Sequence, residues 1–288
     1  MSQLISLDPL MHALPLWAVG LVLIGAALLA VEVGAWWGKF LLDKTLAEKR
    51  LIGSDTQGFI IGSVFGLLAL LIGLTFSLAL DRYDERRNWV AEEANAISTA
   101  YLRASLFDEP YKTELKSTLR EYAHSRIVPE NITPETRERL GAKSEALRDR
   151  LWGATEKAVF PVRATELGSY FVEAVNQMLD VGTSRALASR AHIPGAILGA
   201  LYLFLVVSSA LLGSMLAKDG TRQRYASTIL VILFVLGIVM IIDLDRPRAG
   251  SILVSQRGLE ELAAAMDRDA KAPRQSTAVT RVQRQRVQ

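Results

Sequence analysis

The chain has 288 residues, 50% of them hydrophobic and 22% charged, with a formal net charge of +3. It contains no cysteine, which excludes disulfides and thiolate metal sites and leaves the redox compartment open. Uncharged stretches alternate with heavily charged ones instead of mixing within each amphipathic element, which argues for a bilayer and against a soluble core.

The first apolar stretch runs from Leu14 to Trp36 and carries one acid, Glu32. No Lys or Arg precedes it and it is longer than a signal-peptide core, so it reads as a retained span. An intramembrane acid is a functional candidate by default. Glu32 lies four residues before Trp36, close enough to an interface to reach water. The second stretch, Gly58 to Leu80, has no charge and passes into DRYDERRNWVAEEANAISTAYLRA without a Gly or Pro. A lipid-spanning helix is therefore expected to continue unbroken into a charged helix outside the bilayer. Gly58, Gly62 and Gly66 lie four residues apart, and the stripe continues through Gly73, Ser77 and Asp81. Small residues at this spacing serve helix packing or line a pathway. One chain with four spans has too few helices to enclose a water-filled pore, so a pathway requires several copies around an axis.

Residues 81–192 read as four helices with little β signal. Tyr83, Val90, Ala94, Ile97 and Tyr101 share one face of the first. Pro110 opens the second, with Leu115, Leu119 and Tyr122 on its apolar side. Thr133 caps the third with Pro134 at its first position. The fourth, from Thr165 to Arg190, spaces Leu167, Phe171, Ala174 and Met178 for one face and ends before Pro194. Arg82, Arg86 and Arg87 sit within two turns of the membrane exit, where they can hold lipid phosphates or concentrate anions at a pore mouth.

The third span is Ile193 to Ala217 and the fourth Tyr225 to Ile242, each near the ~20 residues that cross a bilayer. Small residues recur in span one at Gly20, Gly25, Ala30 and Gly34, and in span three at Gly195, Gly199, Ser209 and Gly213. Past span four, Asp243 and Asp245 beside Arg246 and Arg248 form an expected ion-pair cluster fixing the helix end. Residues 243–266 read as a post-membrane helical segment. The tail from 267 is basic and rich in Ser, Thr, Gln and Pro, a composition that buries no core and suits anionic lipid more than nucleic acid. That tail and the even number of spans favour both termini, and residues 81–192, on the cytoplasmic side of a cell inner membrane. His12, His124 and His192 are scattered without metal-ligand spacing, no nucleophile elbow is present, and the GAKS run at Gly141 falls mid-helix. No enzyme, metal or cofactor is expected.

The stretch LIGLTFSLALDRYDERRNWVAEEANAISTAYLRA resembles the second span and following helix of bestrophins, with the pair Arg82-Tyr83 and then Trp89. The run IDLDRPRAGSILVSQRGLEEL resembles the acidic-Pro-Gly-Leu segment after their last span. With DRYDERRNWVAEEANAI and AVNQMLD added, the chain is identified as similar to the bestrophin-like domain family of bacterial membrane proteins over Gly58 to Leu262. The resemblance implies a pentameric anion channel that passes chloride or other small anions, with cytoplasmic termini and a hydrophobic neck on span two at Gly66, Leu70 and Leu74, followed by Ser77. Gly66 departs from a hydrophobic gate. The Asp-x-Asn-Asp calcium clasp is absent, only Asp243 and Asp245 remaining, so no calcium site is implied. The expectation is an all-α integral membrane protein with four spans and a cytoplasmic helical region between spans two and three, acting as an oligomeric anion channel. The alternative is a non-conducting scaffold or sensor that binds a partner through that region.

Overall fold

The computed structural model describes residues 14–46, 54–129, 133–216, 221–246 and 250–271. Among them all regular structure is helical: α1 (Leu16–Leu46), α2 (Ser54–Ala104), α3 (Tyr111–Ser125), α4 (Pro134–Val159), a 3-10 turn (Phe160–Val162), α5 (Glu166–Arg190), α6 (Gly195–Leu216), α7 (Thr221–Asp245) and α8 (Arg257–Lys271). Among the described residues four segments are long and apolar enough to cross a membrane, and each overlaps one of the four stretches read from the sequence. Helix α2 has no break at Leu80. It runs 51 residues, about 76 Å at 1.5 Å per residue, more than twice the ~30 Å of hydrocarbon it would cross.

Helix ends follow local chemistry. Pro110 sits at the cap of α3. The Thr133 hydroxyl accepts the Thr136 amide at 3.2 Å with Pro134 at the first helical position of α4, satisfying an otherwise orphaned donor. At the far end the expected helix over 243–266 is corrected. Helix α7 continues past Ile242 to Asp245, and the next helix begins only at Arg257. The Asp243 carboxylate accepts the Ser251 amide at 2.7 Å, and Gly250 lies so close that an added Cβ would collide with that carboxylate.

The chain divides into two compact units, Met1–Arg87 with Leu187–Val254, and Asn88–Ala186 with Ser255–Gln288. In the first unit the core is built from Val19, Leu23 and Ala27 of α1, Phe65 and Leu68 of α2, Leu201 and Leu205 of α6, and Val231, Val235 and Ile238 of α7. Helices α1 and α6 touch backbone to backbone. A Cβ on Gly34 would strike the Ala210 carbonyl, one on Gly213 the Val31 carbonyl, and one on Gly38 the Ser214 carbonyl. In lipid, where apolar burial gives no drive between helices, such close approach supplies the dispersion contact.

The second unit buries Val90, Ala94, Ile97 and Tyr101 of α2, the face expected from their spacing, with Leu115 and Leu119 of α3, Leu151 of α4, Phe171 and Met178 of α5, and Leu259, Ala263 and Met266 of α8. Polar contacts hold α8. Asp269 accepts from Tyr101 Oη at 2.7 Å and from Lys116, and Asp267 lies 3.1 Å from His124 and 3.8 Å from Arg120. The hydrogen bond from Lys116 holds the Asp269 carboxyl below the usual carboxylate range, and His124 does the same for Asp267.

Two expectations follow. Gly34→Leu or Gly213→Leu should cost at least ~1–3 kcal/mol from overpacking and lower the thermal midpoint of the detergent-solubilised protein. Gly58→Leu, with nothing within 4 Å of its Cβ position, should leave the isolated chain's midpoint nearly unchanged. Because both aspartates have depressed pKa values in the folded state, their support of α8 is full above the unfolded pKa of ~3.9 and fades as pH falls through the folded values. Amide exchange in residues 257–271 should accelerate below about pH 4 before exchange in α3 does.

Candidate functional site

Helix α2 presents an open face in the first unit. Gly58, Gly62, Gly66, Gly73 and Ser77 are exposed, and among the described residues no atom outside the helix lies within 4 Å of a Cβ built on any of the four glycines. Leu70 is 57% and Leu74 62% exposed. At 100° per residue Gly66, Leu70, Gly73, Leu74, Ser77, Asp81 and Asp84 fall within a sector of about 100°, and all seven are exposed. The opposite face carries Phe65, Leu68, Thr75, Ala79 and Arg86, all buried. Other exposed helix faces of this unit differ in kind: Trp17, Leu21, Leu29 and Val33 on α1, and Ile229, Leu233, Leu236 and Met240 on α7, are bulky and apolar as lipid contact requires. The α2 stripe sets glycine, serine and carboxylates beside the exposed Leu70 and Leu74. Glu32 is exposed on α1.

The three arginines of the membrane exit take three different positions. Arg87 is exposed. Arg82 is partly buried, and its Nε makes no hydrogen bond. Arg86 is 4% exposed and is spent inside the chain. Its guanidinium donates to the Leu244 carbonyl at 3.1 Å, the Ala188 carbonyl at 3.3 Å and the Ala191 carbonyl, and sits 3.6 Å from the Asp245 carboxylate. These carbonyls belong to the C-terminal ends of α7 and α5, where backbone acceptors lack helical partners and the dipole favours a cation.

Among the described residues after span four, Asp243 and Asp245 reach different segments of the chain. Asp245 is fully buried, accepts the Ile193 amide at 3.0 Å, and faces Arg86 and, at 3.3 Å, His192 Nδ1. Asp243 holds the Ser251 amide, and Arg246 donates to the Leu14 carbonyl at 2.8 Å. Arg248 lies outside the described residues. Each acid thus serves a separate chain crossing, because a buried carboxylate needs backbone donors as well as a counter-charge.

In the second unit, sequence reading missed a buried acid. Glu93 on α2 has no exposure and is bracketed by Arg126, at the end of α3, and by Arg185 of α5. Arg126 also donates to Ser144 Oγ and the Gly182 carbonyl, both at 3.2 Å. Arg185 donates to the Arg126 carbonyl at 3.2 Å and to Gln256 Oε1 at 3.1 Å, and that Gln256 oxygen accepts the Val128 amide at 3.0 Å. Burial pushes the neighbouring Tyr122 phenol up. Within EEANAI nothing marks Glu93 apart from Glu92, except its register with Val90, Ala94 and Ile97 on the buried face.

Removing one partner of a buried pair strands the other. Arg86→Ala should therefore destabilise by ~3–5 kcal/mol, and Arg86→Lys should fail to restore the loss because one ammonium cannot span three carbonyls and a carboxylate. Thermal unfolding of the two purified variants beside wild type checks this.

Residues 25–259 match the bestrophin-like domain, most of the chain. No curated protein is similar at a significant level. Among solved structures the chain is similar to a bacterial bestrophin homologue from Klebsiella pneumoniae. One form, with a tyrosine-to-alanine change, gives 15% identity over 86% of this chain and 97% of that one, at a TM-score of 0.61. Another gives 14% identity over 87% and 95%, at 0.59. A glycine-to-alanine variant described as a membrane protein gives 12% identity over 88% and 98%, at 0.61. At these identities the likeness is one of fold: an all-helical chain with four apolar helices of spanning length. On the domain match, which covers all of α2 and α5 to α7, the chain belongs to the bestrophin-like domain family.

Proposed function

We propose that this membrane protein assembles as a ring, a pentamer by family resemblance, in a bacterial inner membrane, and that the open face of α2 lines a path for small ions at its axis. The observation that carries this reading is the stripe Gly66, Leu70, Leu74 and Ser77, exposed on a helix whose other face is buried, with glycine and serine flanking its two leucines. Successive turns of ~5.4 Å put Leu70 and Leu74 into adjacent rings, a hydrophobic constriction that gates by dewetting. Gly58 and Gly62 would permit close approach of neighbouring copies.

Small anions such as chloride are the permeant class implied by the family. Charge along the stripe weighs on that choice: Asp81 and Asp84 share the face, while Arg86 is withdrawn into the protein. Carboxylate rings favour cations, so the sign of selectivity is set against the family's expectation at these two positions. The proposed topology has both termini and the second unit in the cytoplasm, with lipid contact along α1 and α7.

Purified protein in liposomes should pass chloride or potassium, with Leu74→Ala or Leu70→Ala raising the flux and Asp81→Asn with Asp84→Asn shifting the chloride-to-potassium ratio upward. A well-folded oligomer without flux would remove the channel reading and leave a membrane scaffold. A monomer or dimer in detergent would remove the ring. The chain has no native cysteine, so Asn88→Cys, at an exposed position, can be labelled without background. It should resist impermeant maleimide in intact cells, and labelling there would invert the topology.

A further inference from the structure

The second unit holds a groove of about 1010 Å³ that the proposed ion path does not use. One wall is α2, which brings Trp89 and Glu92 to it at a three-residue spacing; the other is α5, with Glu173, Asn176 and Asp180 on successive turns. Val172 and Val181 add apolar surface between these polar groups, and Arg163 stands as the one cation among the lining residues. Carboxylates alone would describe a solvated helix face. Here three of them line an open, partly apolar groove together with an indole and a single guanidinium. An aromatic face beside carboxylates recognises ammonium groups carried on a hydrocarbon, through cation–π attraction and ion pairing together. A bare metal ion would not use the indole or the valines.

Spacing narrows the class. Glu173 and Asp180 are seven residues apart on one helix, so their carboxylates stand about 10 Å apart along its axis. A ligand meeting both, with Glu92 on the facing wall, carries two or three ammonium groups separated by methylene runs. We propose that this groove is a binding site for an aliphatic polyamine. The methylenes lie along Val172 and Val181, one ammonium stacks at Trp89 near Glu92, and the terminal ammoniums meet Glu173 and Asp180. Arg163 opposes a cation at the groove, so its removal strengthens binding.

The test is isothermal titration of spermidine into the purified full-length oligomer at low ionic strength, a readout independent of conduction. Saturable binding is expected. Glu173→Gln with Asp180→Asn should weaken it roughly tenfold, the scale of two exposed charge pairs lost. Trp89→Leu should weaken it about two- to fivefold, while Trp89→Phe keeps part of the affinity. Arg163→Gln should tighten binding, a gain that misfolding cannot mimic. The proposal is overturned by absence of binding to wild type. It is equally overturned by unchanged affinity in the double variant and in Arg163→Gln, or by magnesium at matched charge displacing spermidine completely, which would make the groove a diffuse counterion surface.

Discussion

One buried guanidinium closes the first unit. Arg86 projects from the middle of the longest helix onto the carbonyl ends of two others, α5 and α7, and meets Asp245 at the same point. Helix ends leave acceptors unsatisfied, and near a bilayer there is little water to satisfy them. A planar group with five donors answers several at once, and the charge suits the negative end of each helix dipole. Asp245 completes the joint by binding the Ile193 amide at the entry to α6. Four chain segments are thereby tied within two turns of the point where the apolar part of α2 gives way to its charged part.

That tie leaves one side of α2 fastened and the other bare. Glycines then divide into two populations. Gly34, Gly38 and Gly213 are small because a backbone carbonyl occupies the space a side chain would need. Gly58, Gly62, Gly66 and Gly73 have none of the described residues within 4 Å of where a side chain would begin. Identical residues at similar spacing therefore answer different demands, one internal to the chain and one that its own fold leaves open. The second unit repeats the Arg86 device with Glu93, a buried acid held by two arginines, each of which also donates to a backbone carbonyl.

Elements were legible wherever a single local rule dominated. The uncharged run Gly58 to Leu80, the absence of any breaker after it, Thr133 before Pro134, and Pro194 after Arg190 each depend on neighbours within a turn or two. The buried face of α2 in the second unit was legible from spacing, since Val90, Ala94, Ile97 and Tyr101 recur at helical intervals. The segment after Ile242 was misread because nothing local shows that Asp243 binds the Ser251 amide, a contact made only when the turn has formed. Arg86 and Arg87 are adjacent and chemically identical, yet one is buried and the other exposed.

The sequence by itself determined the class of protein: four apolar helices, all-α, with α2 running unbroken into a charged region and a glycine stripe along it. These follow from hydropathy, period and breaker residues, which act through the chain's own backbone. Only the tertiary structure decided which arginine is withdrawn, which acids are buried, which glycines touch a partner helix, and that Trp89, Glu173 and Asp180 line one groove. Those outcomes depend on residues far apart in the chain meeting across helices, and a one-dimensional pattern of polarity holds no record of such meetings.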